Sequence, residues 1–242
     1  MVTSAEHVSA KLALARAFYL CLGCYMVAIM TLGFWPSYFA LVAGGAAEHP
    51  WFVHLHAFVF VGWMGLFVGQ AGLVAMGRVA AHRRLGKFGV AWGFLVLVVG
   101  SMTTVLSFER RIDLLGFDTA AAFLIWPLLD MIIFAAFFVP AVIYRRRSEL
   151  HKRFMIVAVT NLLVAAAGRV VDLDTPLNHA LNVVLWISPL LLAMAHDSVT
   201  RRSVHPVYLA GTLVLVVSSF RDRWADTDAW FAFAEAFAGL VG

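Results

Sequence analysis

Residues 119–144 read TAAAFLIWPLLDMIIFAAFFVPAVIY, a run of apolar side chains in which Asp130 is the sole charge. A helix rises 1.5 Å per residue, so ~20 such residues cross the ~30 Å hydrocarbon core of a bilayer. This run is long enough with a turn to spare. It does not alternate apolar with polar residues, as a lipid-facing β-strand would. The stretch is a transmembrane helix, and it decides the fold class.

The same test, carried outward in both directions, yields six more segments at about 12–34, 51–76, 88–108, 154–171, 177–198 and 206–222. Composition agrees. Of 242 residues, 62% are hydrophobic and 13% charged, and mean hydropathy is +0.88. Soluble domains carry roughly 25% charged residues, so the chain lacks about half the polar surface it would need in water. The expected fold is all-α: one polytopic membrane bundle of seven transmembrane helices over 1–223, with an interfacial amphipathic helix over 224–242. In that last stretch Trp224, Trp230, Phe231, Phe233 and Phe237 are set among acids, and Asp226 or Thr227 is placed to cap a helix. The loop 36–50, with Pro36, Gly44, Gly45 and Pro50, is expected to lie along the same surface. An apolar stretch from Ala17 to Phe34 exceeds the 7–15 residues of a signal-peptide core, so the first span is read as a retained helix.

Net charge is +4 and the pI about 9.4. In a soluble chain that balance would suggest nucleic acid as a partner. Here 13 of the 18 Lys and Arg fall in the N-terminal segment and the turns 77–88, 145–153 and 199–205. The positive-inside rule then places the N-terminus in the cytoplasm and the C-terminus outside. The bilayer, not nucleic acid, explains the charge.

Nine histidines carry the main chemical signal. His54, His56 and His179 stand near one membrane edge, while His82, His151 and His196 stand near the other. A neutral imidazole nitrogen ligates haem iron, copper or zinc. Haem b in a bundle takes one imidazole from each of two helices at matching depth. His54 or His56 with His179 is thus the expected cofactor-binding pair, and His82, His151 and His196 a level metal-binding trio. Arg169 is placed either to pair with Asp172 or to meet an anionic group such as a haem propionate. Membrane anchoring is the competing role for each of these side chains.

Asp130 is the sharpest single residue. An acid at mid-bilayer costs ~2.5–3.5 kcal/mol on insertion scales and reads by default as functional. No Lys or Arg lies at its depth in the linear pattern, so a protonated carboxyl is expected, bonded to Asn161, Ser101 or Thr104 and fit to relay a proton. Gln70 and Asn182 read as interhelical hydrogen-bond partners. Cys21 and Cys24 read as packing residues, since apolar surroundings favour the thiol. Pro127, Pro140 and Pro189 are expected to kink their helices.

Several chemistries are excluded. No two histidines have the three- or four-residue spacing of a di-iron box or a zinc hydrolase helix. Retinal needs a lysine deep in a span, and Lys11, Lys87 and Lys152 sit at the edges. No nucleotide-binding glycine loop occurs.

Five stretches carry a resemblance: His54-Leu-His56, His82-Arg-Arg-Leu-Gly86, Arg145-Arg-Arg with Leu150-His-Lys-Arg-Phe-Met155, Val204-His-Pro206 and Asp228-Ala-Trp-Phe-Ala-Phe233. They resemble a family of uncharacterised multi-pass membrane proteins of bacteria, which implies a bacterial inner membrane and no particular activity. The His-Lys-Arg-Phe-Met turn is similar to membrane proteins linked to haem–copper oxidase assembly. The His-Arg-Arg-Leu-Gly turn looks like helix starts in b-type transmembrane cytochromes.

Three functions follow as expectations. The first is a redox protein holding haem b or a transition metal (copper, iron or zinc) and exchanging electrons with quinone. The second is a non-enzymatic assembly factor or accessory subunit of a larger membrane complex. The third is a small proton-coupled transporter using Asp130.

Overall fold

The computed structural model describes residues 4–46, 48–171 and 175–241. The described residues are 88% helix, with no strand among them. Helix α1 (Ser4–Phe34) passes through a π-helical turn (Trp35–Phe39) into α2 (Ala40–Ala43), and α3 is Trp51–Ala75. The expected surface loop is therefore helical up to Ala43. Pro36 sits in the π-segment, which interrupts the regular ladder where proline has no N–H to donate. Helices α4 (Val79–Leu115) and α5 (Phe117–Ile143) follow, then α6 (Ser148–Asn161) and α7 (Val164–Val170). Helix α8 is Pro176–Arg201, α9 Pro206–Ser218, α10 Asp222–Ala225 and α11 Asp228–Val241.

Five continuous stretches are long and apolar enough to cross a membrane: Ala17–Ala43, Trp51–Ala75, Val79–Leu115, Phe117–Ile143 and Pro176–Arg201. The segment expected over 154–171 is instead a broken span, α6 and α7 meeting at 46° across Leu162 and Leu163. The segment expected over 206–222 is a 13-residue helix. At ~1.5 Å per residue it covers about 20 Å, short of the hydrocarbon core. Helices α5 and α8 each continue through their internal prolines.

Helix α5 is the hub. It packs against α4, α6, α10 and α11, while α1 bridges α3, α7 and α8, and α9 closes against α6 and α8. The α4–α5 hairpin turns at Gly116, whose φ of +86° few side chains would tolerate. Within the hairpin Gly100 faces Met131 so closely that a Cβ there would collide with it. The core is aromatic at this level: Phe134 and Phe138 stack at 5.2 Å, and Trp63 meets Phe138 edge-on at 5.5 Å.

Thr227 caps α11, its Oγ1 accepting from Trp230 N at 3.3 Å. Helix α11 is docked against the bundle. Trp230 Nε1 donates to Ala121 O at 2.8 Å, and Ala234 is buried among Phe108, Ala120, Ala121 and Leu124. The terminal segment is thus strapped to the α4–α5 hairpin at the end of the bundle opposite the basic turns.

Candidate functional site

Two buried charge pairs lie inside the bundle. Asp130 stands at the midpoint of α5, and Arg221 lies between α9 and α10. Arg221 Nη1 donates to Asp130 Oδ1 at 2.6 Å and to Trp126 O at 2.9 Å. The Arg221 side chain is fully buried and that of Asp130 is 13% exposed. The guanidinium carbon lies 4.1 Å from the Trp126 ring centroid and 5.9 Å from that of Trp186, so aromatic faces hold the cation. Asp222 adds a bond of 2.7 Å from Trp126 Nε1. The expectation that no cation reaches the depth of Asp130 is overturned. The α9 helix is short, so the chain just beyond it is still level with Trp126 and Asp130. Asn161 is present too, but its Nδ2 donates to the main-chain oxygen of Asp130 at 2.8 Å, not to the carboxyl. Thr104 turns to Gly100 O, and Ser101 lines a cavity of about 100 Å³ against Met131.

The second pair joins Arg153 of α6 to Asp197 of α8, both fully buried. Arg153 Nη2 donates to Oδ1 and Oδ2 at 2.8 Å each, and Nε to Oδ2 at 3.1 Å. Nη1 reaches Glu149 Oε2 at 2.6 Å and Glu149 O at 2.8 Å. Every guanidinium nitrogen is therefore engaged. Glu149 also pairs with Lys152 at 2.9 Å and with Arg201, which reaches Asp197 at 3.6 Å. Tyr208 of α9 lies over Arg153, 5.4 Å from ring centroid to guanidinium carbon. His205 caps α9, accepting from Val207 N at 3.2 Å, and burial together with the Arg153 charge pushes its imidazole below the usual range.

The histidines divide differently from expectation. His82 and His151 do meet, with ring centroids 6.4 Å apart. His151 Nδ1 is 2.8 Å from Ala141 O, which fixes it as the donor and leaves Nε2 a lone pair. With the Gln70 amide nitrogen towards His82 Nδ1 (2.7 Å) and its oxygen accepting from Gly86 N (2.8 Å), His82 carries its proton on Nε2. The two tautomers are complementary. His196 is not part of this pair; it stacks on Phe18 at 4.0 Å. At the other end, His54 Nδ1 meets Tyr38 Oη at 3.0 Å, His56 stacks on Phe60 at 3.9 Å, and His179 faces Phe220 at 6.0 Å. Helix α3, which carries His54 and His56, packs on α1 and α4, and α8, which carries His179, packs on α1, α6, α7 and α9. The helices of the expected cofactor pair thus share α1 as a neighbour, while the three imidazoles each meet a different aromatic ring. Among the described residues no group of three or more His, Cys, Asp or Glu gathers to hold a metal ion.

Arg169 donates to Ala165 O at 2.6 Å and lies over Phe34; Asp172, its expected partner, falls outside the described residues. Cys21 and Cys24 are exposed on α1 rather than packed inside. A cavity of about 350 Å³, lined by Ile125, Leu129, Ile132, Trp224 and Trp230, opens between α5 and the terminal strap.

Sequence reasoning found Asp130 but missed Arg221, Arg153 and Asp197. One signal was present. Arg153, Val157 and Asn161 recur at helical spacing, which places a charge and an amide on one face of α6.

The chain is an integral, multi-pass membrane protein by its apolar helices. Comparison with family models, curated proteins and solved structures finds no match.

Proposed function

We propose that the protein is a proton-coupled membrane carrier in which Asp130 is the group that takes up and releases the proton and Arg221 is its counter-charge. One observation carries this reading: the 2.6 Å contact between Arg221 Nη1 and Asp130 Oδ1 inside the bundle. Removing two charges from water costs several kcal/mol per ion, and a buried pair rarely returns more than apolar packing would. Stability alone is a weak reason to keep such a pair. Intramembrane acids facing a partner mark ion and proton pathways.

The geometry gives protonation a mechanical consequence. A proton on Asp130 cancels its attraction for Arg221, which keeps the Trp126 carbonyl and the two tryptophan faces. The strap that begins at Arg221 would then be held to α5 by Arg221–Trp126 O, Asp222–Trp126 and Trp230–Ala121, without the ion pair. Asp130 would thus set how firmly α9–α11 grip α5. In this reading the basic turns face the cytoplasm of a bacterial inner membrane, and Ser219–Ala225 completes a seventh crossing beyond α9.

The test is proton uptake into proteoliposomes loaded with a pH-sensitive dye, under an imposed potential. The wild type should acidify the lumen and Asp130→Asn should fall to the level of empty vesicles. Equal uptake by the two would refute the reading.

A second reading draws on the His82–His151 pair. Two imidazoles with centroids 6.4 Å apart suit one transition-metal ion bound between them, since each nitrogen would lie ~2 Å from it. Such an ion would require the Gln70 amide to turn, so that His82 donates from Nδ1. A porphyrin needs a broad slot, and the cavities of about 350 and 100 Å³ lie along α5, lined by no histidine. Metal analysis and an absorbance spectrum of the purified protein decide this: one bound ion lost in His151→Ala supports it, and a metal-free preparation contradicts it.

A further inference from the structure

Of twelve buried side-chain polar atoms without a partner among the described residues, six are spread over α3, α4 and α8, and the other six fall together. Tyr208 Oη, Thr212 Oγ1, Thr160 Oγ1, Asn161 Oδ1 and Arg221 Nε and Nη2 all lack a hydrogen-bond partner among the described residues. They lie on α6, on α9 and at the residue where α9 gives way to α10. These helices run in the same direction, and their register is fixed at two points. Tyr208 lies over Arg153, and Gly211 is so close to Val157 that a Cβ would strike it. Each α9 residue is thus level with the α6 residue about 54 positions earlier. Tyr208 stands at the level of Arg153 and Thr212 near Val157. Thr160 and Asn161 approach the Asp130–Arg221 pair through side-chain contacts: Asn161 Nδ2 donates to Asp130 O, and Trp186, whose ring lies 5.9 Å from the Arg221 guanidinium carbon, donates to Thr160 O.

The orphaned atoms therefore form a file along the α6–α9 seam, and both of its ends are charged. One end is the Arg153–Asp197–Glu149 network, the other the Asp130–Arg221 pair. Eight residues of α6 separate Arg153 from Asn161, about 12 Å. At ~2.8 Å between hydrogen-bonded oxygens, three or four water molecules would span that distance. Leaving one buried polar atom unpaired costs about 1–3 kcal/mol, and buried water is the usual remedy. Six such atoms on one seam make a dry seam expensive.

We infer that the α6–α9 seam is a hydrated file joining the two charge pairs and is the proton's route from the basic end to Asp130. The proton's part of this rests on the carrier reading; the water's part rests on the orphaned atoms alone. Along the file Tyr208, Thr212 and Thr160 each accept a proton on the hydroxyl oxygen and pass on another, so no net charge stays behind. The last transfer protonates the Asp130 carboxylate.

Two measurements test it. In proteoliposomes, Tyr208→Phe and Thr160→Val each delete one hydroxyl with little change of volume. Each should lower proton uptake at least tenfold with an unchanged melting temperature. If both carry protons like the wild type while Asp130→Asn does not, the route is overturned and the carrier reading stands. Hydration is read separately. Thr212→Cys and Thr160→Cys, in a chain with Cys21→Ser and Cys24→Ser, are exposed to a small cationic methanethiosulfonate, which needs water to reach a thiolate. Labelling of either cysteine supports the file even if the wild type carries no protons, an outcome that sinks the carrier reading alone. Two folded variants that both resist the reagent overturn the hydrated seam.

Discussion

Asp130 and Arg221, 91 positions apart in the chain, meet at 2.6 Å in the interior of the helix bundle. The contact exists because α9 stops at Ser218, so the residues beyond it emerge beside Trp126 rather than at a membrane surface. A charge at the end of the expected span 206–222 becomes the counter-ion of the central acid.

Removing one member of this pair should be far worse than removing both. Arg221→Ala leaves an uncompensated acid and should cost about 3–5 kcal/mol, as for other broken buried pairs. The double change Arg221→Met with Asp130→Leu should recover most of that loss. Thermal unfolding in detergent checks the cycle; additive losses would mean that the two residues do not act on one another.

The Arg153–Asp197 pair should behave the same way, while its exposed neighbour should not. Asp197→Ala strips a fully buried guanidinium of three hydrogen bonds and should cost about 3–5 kcal/mol. The Glu149 side chain is 44% exposed, so Glu149→Ala should cost about 1 kcal/mol or less. A larger loss for Glu149 than for Asp197 would reverse the ranking of burial.

Asp130 was legible because it interrupts 26 residues of otherwise uncharged sequence. Arg221 was not, because hydropathy assigns an arginine after Val216-Val-Ser-Ser-Phe220 to the boundary and cannot say that the helix ends early. Arg153 was hidden in the run His151-Lys-Arg, where composition does not distinguish the side chain that turns inward from its neighbours. The 46° break at Leu162 and Leu163 carries no proline or glycine to announce it, and Pro127, Pro140 and Pro189, which do announce breaks, leave α5 and α8 continuous. Tertiary contacts decide these features, and they leave little mark on the local sequence.

His205 gives the fold a defined response to acid. Its ordinary value is 6.5, and burial lowers it in the folded protein, where the neutral ring caps α9. Below about pH 6.5 the unfolded chain takes up a proton that the folded cap resists, so stability is full above that pH and falls as the pH drops towards the folded value. Melting curves between pH 8 and 5 should show the wild type losing more than His205→Asn, whose amide caps without titrating. Parallel curves would contradict this.

The α4–α5 hairpin should tolerate no bulk at its tightest contact. Gly100→Val drives a branched side chain into Met131 and should cost about 1–3 kcal/mol or more by overpacking. Pairing it with Met131→Ala should return part of the loss. No recovery in the double variant would show that the strain lies elsewhere.

The most direct test of Asp130 and Arg221 as the working centre is proton uptake by the Asp130→Leu, Arg221→Met variant in proteoliposomes. That chain should keep its fold, shown by a cooperative melt near that of the wild type. Its proton uptake should equal that of protein-free vesicles. Uptake at the wild-type rate by the folded, uncharged variant would contradict the account.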